Sequence, residues 1–117
     1  MPKKQVEYYD TDVYTPWTPD PSLPEGVMEK ILAIDEYGNK TRLLKWPACE
    51  TIGHTLEHDF WEETFILEGS LYDHLNQKNY LAGYYACRAP HMKHGPFTTS
   101  TGALLLEIHS GKEHCGK

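Results

Sequence analysis

The chain has 117 residues, 39% of them hydrophobic, and a formal net charge of −6. That length suits one domain with a single modest core and is too short for two. The 11 lysines and arginines are scattered along the chain, so no basic stripe indicates nucleic acid or an anionic membrane as a partner. We therefore predict that the chain binds neither.

The first residues and the cysteines predict a cytoplasmic protein. The start, MPKKQVEYYD, has no apolar stretch behind its lysines, which argues against a secretory signal, and no run of the sequence reaches the length of a transmembrane helix. Cys49, Cys87 and Cys115 are widely spaced and form no CxxC motif. This pattern indicates reduced thiols rather than a disulfide framework.

Residues 1–26 are predicted to form an extended arm. The segment holds most of the prolines and several aromatic residues between them, namely Pro2, Pro16, Pro19, Pro21 and Pro24, with Tyr8, Tyr9, Tyr14 and Trp17. Because proline fixes φ and lacks a backbone donor, the arm cannot form a long helix or a central strand. Its aromatic side chains predict that it packs on the body of the domain or on that of a partner subunit.

Residues 27–110 alternate short apolar runs with glycine and proline turns, which predicts an all-β sandwich or barrel. Strands are expected at 27–34, 40–46, 64–67, 70–75, 84–88 and 103–109. The first two flank the sequence DEYGN, in which Gly38 and Asn39 can adopt positive φ in a turn. A tight corner at Glu68 and Gly69 is expected between the third and fourth strands, and residues 111–117 are expected to be a flexible tail.

Two histidines and one glutamate form a candidate metal site, namely His58, Glu62 and His94. The first two belong to the sequence HDFWEETFILEG, and the third ends the sequence GYYACRAPHMKH. Neutral imidazoles and one carboxylate suit one divalent transition metal such as Zn²⁺, Fe²⁺, Mn²⁺ or Ni²⁺. The alternative is chance proximity in a chain with seven histidines.

Strand geometry sets a condition on this site. Positions four apart on a straight strand are ~13 Å apart, so His58 and Glu62 can share an ion only if the residues between them turn the chain or if they lie on neighbouring strands. Asp59 is a suitable turn residue, and His94 is expected to come from a third strand. Glu63 should point to the face opposite Glu62.

On these motifs the chain resembles a cupin, that is, a protein with an RmlC-like jelly-roll β-barrel. The first cupin motif is HxH, three or four residues, Glu, six residues and Gly, and its second half is matched by His58, Glu62 and Gly69. The second motif, a Gly, a Pro and then a His, is matched within GYYACRAPHMKH. The likeness runs from about Trp17 to about His109, which is most of the chain.

The likeness is closest to stand-alone relatives of the cupin-like domain of anti-sigma factors, and acetylacetone-dioxygenase-type enzymes lie in the wider neighbourhood. It implies a single jelly-roll barrel of short antiparallel strands with one mononuclear divalent metal. A barrel of this size also leaves edge strands and an aromatic surface to cover, which favours a twofold homodimer.

Two positions depart from the cupin pattern. The first His of HxH falls on Leu56, which cannot bind a metal. His54 is a candidate replacement, since it shares the alternation face of Leu56 and His58, but it needs a bulge or kink that Gly53 would allow. His91 stands where the relatives usually have glycine, so it is a candidate ligand or a residue at the rim that supports the ligands.

Four aromatic residues are candidates to line a pocket beside the metal, although they also suit the core: Tyr72, Tyr84, Trp61 and Phe97. On the last strand, Glu107 and His109 alternate with apolar residues, and either set can face the cavity. His114 and Cys115 are candidates for a second metal site. Residues in a chain terminus are rarely pre-organised as ligands, which argues against this site.

We predict a metal-dependent enzyme of the dioxygenase, isomerase or decarboxylase type that acts on an oxygen-rich small molecule, with Tyr or His groups near the metal as acid or base. A metal-dependent ligand sensor without catalysis is the alternative. A fold that has lost its metal is a third possibility, which the leucine at position 56 alone suggests.

Overall fold

Eight antiparallel strands and one short helix make up the computed structural model, which describes residues 2–113. In chain order these are α1 (Thr11–Tyr14), β1 (Thr18–Pro19), β2 (Met28–Ile34), β3 (Lys40–Trp46), β4 (Trp61–Asp73), β5 (Lys78–Leu81), β6 (Tyr85–Arg88), β7 (Phe97–Thr98) and β8 (Ala103–Ser110). The predicted all-β fold is confirmed, including the strands expected at 27–34, 40–46 and 103–109. Within residues 2–113, no helix has the length and apolar character that crossing a membrane requires.

The strands are arranged in the order β1-β2-β3-β8-β4, and β6 pairs with the free side of the first half of β4. The second half of β4 pairs with β5 and β7. Strand β4 therefore takes part in both halves of the barrel, and the chain segments around its first residues are held close to β8 and β6.

The corner predicted at Glu68 and Gly69 is wrong, because residues 61–73 form one continuous strand of 13 residues. A bulge between Ile66 and Glu68 shifts the register of β4 on β8, and the two strands pair again beyond it. Gly69 is required for close approach instead: its φ is +78°, and a Cβ there would lie 2.0 Å from the carbonyl oxygen of Gly102. Strands β5 and β7 lie outside the strands that the sequence predicted.

The hairpin between β2 and β3 forms as the DEYGN sequence predicts. The Asp35 side chain accepts hydrogen bonds from the backbone N–H groups of Tyr37 and Asn39, each at 2.9 Å. Gly38 adopts a φ of +87°. An aspartate that satisfies the turn's donors and a glycine at positive φ are the residues that such a turn needs.

Alternate residues of β3, β4 and β8 face inward and give the barrel an apolar end and a polar end. The apolar end contains the buried core, formed by Val27, Leu44, Trp46, Ile66, Leu71, Phe97, Ala103 and Leu105. The polar end contains Arg42, Glu62, Glu107 and His109, each at most 5% exposed. The sequence did not decide which side chains of the last strand face the cavity. In the structure Glu107 and His109 face inward.

The N-terminal arm lies against the outer edge of β2. Pro19 belongs to the edge strand β1, where its missing N–H does not interrupt the sheet. The ammonium group of Lys30, a residue only 1% exposed, donates to the carbonyl oxygen of Thr11 and to the carboxylate of Asp12, both at 3.1 Å. The same nitrogen lies 4.9 Å from the ring centroid of Trp17. The arm thus supplies the groups that make a buried lysine tolerable.

Candidate metal centre

The three predicted ligands meet at the polar end of the barrel. The chain bends at Asp59 and Phe60, directly after His58, and Glu62 is the second residue of β4. The predicted turn between His58 and Glu62 is therefore present. His94 does not lie on a regular strand as expected: it pairs with Leu56 through a single bridge of two backbone hydrogen bonds, 2.7 and 2.9 Å long.

The spacing of the ligand atoms fits one metal ion. His58 Nε2 lies 3.8 Å from Glu62 Oε2, and His94 Nε2 lies 3.6 Å from Glu62 Oε1. The ligand atoms of these three residues all fall within 4.8 Å of one another. Bonds of about 2.0–2.2 Å to a central ion place neighbouring ligand atoms about 3–3.5 Å apart. The observed distances approach that range, so a small inward movement of the two imidazoles would close the site on an ion.

A further histidine, His109, lies beside Glu62 and was not among the predicted ligands. The two residues are register partners on β8 and β4, and His109 Nε2 lies 3.0 Å from Glu62 Oε2 and 3.5 Å from Glu107 Oε1. Despite this proximity, neither ring nitrogen makes a well-directed hydrogen bond to any residue between 2 and 113. The alternation of the last strand gave the signal for this residue, but the sequence could not say which face is inside.

The other predicted ligands lie away from the three. His54 is exposed and lines a neighbouring cavity with Pro24 and Cys49, and it belongs to neither cluster of metal-ligating side chains found among the described residues. No kink at Gly53 turns it inward. His91 is also exposed, its Nδ1 lies 3.3 Å from Glu57 Oε2, and its backbone N–H donates to the carbonyl oxygen of His58. His91 therefore ties down the loop that carries His58.

Two of the four aromatic candidates line the cavity next to the cluster. Phe97, which is buried, and Tyr84, which is half exposed, both lie on the cavity wall. Trp61 points to the opposite face from Glu62, with 46% of its surface exposed. Tyr72 packs edge-on against His74 instead. Glu63 lies on the outer face as predicted and accepts a 2.6 Å hydrogen bond from Tyr85.

Glu62 is held as a carboxylate. Burial alone would raise its pKa, but the close contact with the His109 imidazole and the positive charge of Arg88 lower the pKa to about 2. Arg88 donates from Nη1 to Glu62 Oε1 at 2.8 Å. Burial lowers the pKa of both His58 and His94, and for His94 the charge of Arg88 acts in the same direction. An ionised carboxylate beside neutral imidazoles is the protonation state that metal binding needs.

A buried charge network supports the floor of the site. Arg42 Nε donates to Glu107 Oε1 at 2.9 Å, and its Nη1 donates to Asp20 at 2.7 Å and to Glu29 at 2.9 Å. Burial lowers the pKa of Arg42, but the charge of Glu107 and the hydrogen bonds to the three carboxylates raise it overall. Lys40 also donates to Glu29, at 2.9 Å. Glu107 is thereby fixed in place next to His109.

The cluster opens into a cavity of about 490 Å³ that runs from the polar end to the apolar core. Two buried polar atoms on residues of its wall, Trp46 Nε1 and Thr64 Oγ1, have no hydrogen-bond partner in the described part of the chain. Buried polar groups are nearly always satisfied, so such atoms indicate a missing partner such as a ligand or water. The second site suggested for His114 and Cys115 lies outside the described residues.

Comparison with known proteins identifies the fold. No protein-family model and no curated protein matches the chain, whereas 55 chains of solved structures do. An RmlC-like cupin protein from Ralstonia eutropha superposes with a TM-score of 0.74 and 21% identity, covering 92% of this chain and 69% of that one. The chain therefore has the fold of the RmlC-like cupins, as the resemblance of its motifs predicted.

Two further structures represent the relatives that the sequence resembled. An acetylacetone dioxygenase from Acinetobacter johnsonii has a TM-score of 0.69 and 16% identity, covering 92% of this chain and 74% of that one. A chain from the Rhodobacter sphaeroides complex of SigE with the anti-sigma ChrR has a TM-score of 0.63 and 20% identity, covering 84% of this chain and 51% of that one. Identities this low show a shared fold alone.

Proposed function

We propose that this chain is a metal-dependent cupin enzyme that binds one divalent transition metal, Fe, Zn, Mn or Ni, through His58, Glu62 and His94. The observation that supports this most is the buried carboxylate of Glu62, with imidazole nitrogens 3.6 and 3.8 Å from its two oxygens. An ionised carboxylate beside two neutral imidazoles is a ligand set that suits a divalent transition metal.

The bound metal would act as a Lewis acid toward oxygen atoms of a substrate or, if it is iron, in oxygen chemistry. The chain itself supplies the positioning. Arg88 holds Glu62 from one side through the 2.8 Å hydrogen bond, while Phe60 stacks on His58 with ring centroids 4.7 Å apart. These contacts fix the rotamers of two ligands before any metal arrives, which is what an efficient site requires.

The cavity favours a small, oxygen-rich substrate. The partnerless atoms Trp46 Nε1 and Thr64 Oγ1 would hydrogen-bond a polar molecule, whereas Leu44 and Leu105 offer it an apolar wall. Arg88 donates from Nη1 to Glu62, and its side chain lines the cavity beside the cluster. We propose that its other N–H groups bind an anionic oxygen of the substrate, in a reaction of the dioxygenase, isomerase or decarboxylase type.

The test is elemental analysis of the natively purified protein beside a His94→Ala variant, with His74→Ala as the matched control. His74 is a histidine outside the cluster, hydrogen-bonded to Thr98 at 2.8 Å. We expect about one transition metal per chain in the wild type and in His74→Ala, and almost none in His94→Ala. Equal metal content in all three proteins, or none in any, would contradict the proposal.

The second candidate function is a metal-dependent ligand sensor, which would use the same cavity of about 490 Å³ to bind a small molecule without converting it. A metal-loaded protein that binds small carboxylates without converting them would favour this function over an enzyme. Both candidates use the same metal and the same cavity, so the metal test applies to each.

We also propose a cytoplasmic homodimer. The free thiols of Cys49 and Cys87 suit a reducing compartment. On the outer face of the sheet, cross-strand register brings together an apolar row, Tyr85, Phe65, Leu106 and Leu43. Phe65 is 40% exposed and Tyr85 is 57% exposed. A contiguous apolar face of this kind is commonly covered by a second copy related by a twofold axis.

A further inference from the structure

We propose that His109 is a fourth ligand of the metal and takes the place of the imidazole that Leu56 cannot supply. This inference rests on the proposed metal site at His58, Glu62 and His94 and concerns how that site is completed. It starts from a side chain that is 4% exposed and whose two ring nitrogens have no well-directed hydrogen bond to any described residue. A buried imidazole in this state needs an explanation.

The position of Nε2 fits a ligand. It lies 3.0 Å from Glu62 Oε2, and ligand atoms held at right angles on one ion by bonds of about 2.1 Å lie about 3 Å apart. His109 therefore occupies the same kind of position relative to Glu62 as His58 and His94, whose nitrogens lie 3.8 and 3.6 Å from the carboxylate. Of the three imidazoles, His109 is the one nearest to that carboxylate.

His109 belongs to a second cluster of metal-ligating side chains, which overlaps the first. His58, Glu62 and His94 form one cluster, and Glu62, Glu107 and His109 form the other, so Glu62 is common to both. The ring centroids of His58 and His94 are 5.0 Å apart, and those of His58 and His109 are 6.5 Å apart. An ion held at Glu62 would therefore have His109 as its third histidine neighbour.

The backbone explains why the replacement comes from β8. Leu56 pairs with His94 through the backbone, so its side chain occupies the cavity wall where the first His of the motif is expected. His109 is held next to Glu62 by the register of β8 on β4. Phe60 packs against the His109 ring at 4.7 Å and so limits its rotation. A ligand on a central strand is more rigidly placed than one in a loop.

The direct test is X-ray absorption spectroscopy of the zinc-loaded protein. Scattering from the outer atoms of the imidazole rings gives the number of histidines bound to the zinc. We expect three imidazoles in the wild type, two in His109→Gln and three in His54→Gln. A wild-type count of two overturns the inference, as does a count that falls in His54→Gln but stays at three in His109→Gln. The wild-type count stands even if the His109 variant does not fold.

Zinc affinity distinguishes this inference from the proposal on which it depends. Loss of His109 should weaken zinc binding at least tenfold in a competition titration. Loss of a group that only supports a ligand costs about 10- to 100-fold as well, so the imidazole count is what separates the two roles of His109. If wild type and His94→Ala bind zinc equally poorly, the proposed metal site itself fails. If His94→Ala loses zinc while His109→Gln keeps wild-type affinity, only the role of His109 is overturned.

Discussion

Arg88 connects the candidate metal ligands to the cavity, and its charge sets an expectation about the substrate. Its Nη1 donates to Glu62, and its Cζ lies 5.6 Å from the ring centroid of Phe97 on the cavity wall. The charges of Arg88 and Glu62 cancel, so a divalent ion bound there leaves the polar end of the cavity positive. Anionic ligands should therefore bind better than neutral ligands of the same shape.

We expect Arg88→Gln to weaken malonate binding to the zinc-loaded protein about tenfold or more and to leave the weak binding of malonamide unchanged. The reason is that glutamine offers a hydrogen bond but neither the charge nor the paired donors of the guanidinium. Isothermal titration of both probes measures this, with zinc content checked in each sample. Equal losses for malonate and malonamide would show that Arg88 does not select anions.

Replacing Gly69 or Gly83 by alanine should lower the stability of the barrel by different amounts. Both adopt positive φ, +78° for Gly69 and +92° for Gly83, but only at Gly69 would a Cβ meet neighbouring backbone, 2.0 Å from an oxygen of Gly102. Gly83→Ala should cost about 1–3 kcal/mol through its backbone conformation alone. Gly69→Ala should cost clearly more, because the strands must also separate. Urea unfolding of the two variants measures the difference, and equal losses would contradict it.

At the scale of elements, the charge network around Arg42 joins the arm to β2, β3 and β8. It contains Asp20 at the end of the arm and Glu29 on β2. Burial raises the pKa of Asp20 and of Glu29, but hydrogen bonds from Ser22 and Arg42 to Asp20, and from Lys40 and Arg42 to Glu29, lower both overall. A carboxyl group with a depressed pKa in the folded state stabilises that state above its unfolded pKa, and the contribution is lost as the pH falls.

We therefore expect the unfolding free energy to fall as the pH is lowered from neutrality through about 4 and below, where these carboxylates gain protons. The Asp20→Asn variant should show a shallower decrease than the wild type, because it has lost one of the responsible groups. Glu25→Gln, an exposed carboxylate of the arm, is the control and should keep the wild-type slope. Identical slopes in all three proteins would exclude Asp20 as a source of acid sensitivity.

The sequence predicted elements well where one face of a strand is buried and the turn residues are distinctive. The hairpin from β2 to β3 is an example, since Asp35 and Gly38 specify its turn. The prediction was wrong at β4, where Glu68 and Gly69 suggested a corner. In the structure Gly69 lets the backbone of Gly102 pack closely against β4, where a Cβ would not fit. A glycine in a strand has both uses, and only the position of the neighbouring strand distinguishes them.

The same reasoning applies to the candidate site. The sequence indicated His58, Glu62 and His94 as candidate ligands because their spacing is local to two motifs, and the three side chains lie close together in the fold. His109 could not be found in this way, because its approach to Glu62 depends on the register between β8 and β4, which lie far apart in sequence. His54 was favoured because it shares the alternation face of Leu56 and His58, yet the residue is exposed.

At the scale of the whole molecule, the apolar row on the outer sheet face predicts self-association. Phe65→Glu places a charge in the centre of that row and should convert a dimer to a monomer in light scattering coupled to size exclusion. Ile34→Glu is a control, since Ile34 is also exposed, at 47%, but lies at the far end of β2. A wild-type protein that is monomeric at micromolar concentration would contradict the proposed dimer.

Metal binding at the polar end should stabilise the whole barrel, because the site joins β4 to the segments that carry His58 and His94. A ligand present at 100 times its Kd adds about 2.7 kcal/mol to the unfolding free energy. Excess zinc should therefore raise the Tm of the metal-free protein and leave that of His94→Ala nearly unchanged. A Tm that does not respond to Zn²⁺, Fe²⁺, Mn²⁺ or Ni²⁺ would argue against a site in this barrel.

The most direct measurement is an anomalous difference map from crystals of the natively purified protein, recorded at the absorption edge of the metal that it contains. We predict one strong peak within bonding distance of His58 Nε2, His94 Nε2 and the carboxylate of Glu62. A metal-free cavity in native crystals, or a peak bound elsewhere on the chain, would contradict the account of this barrel as a metal site.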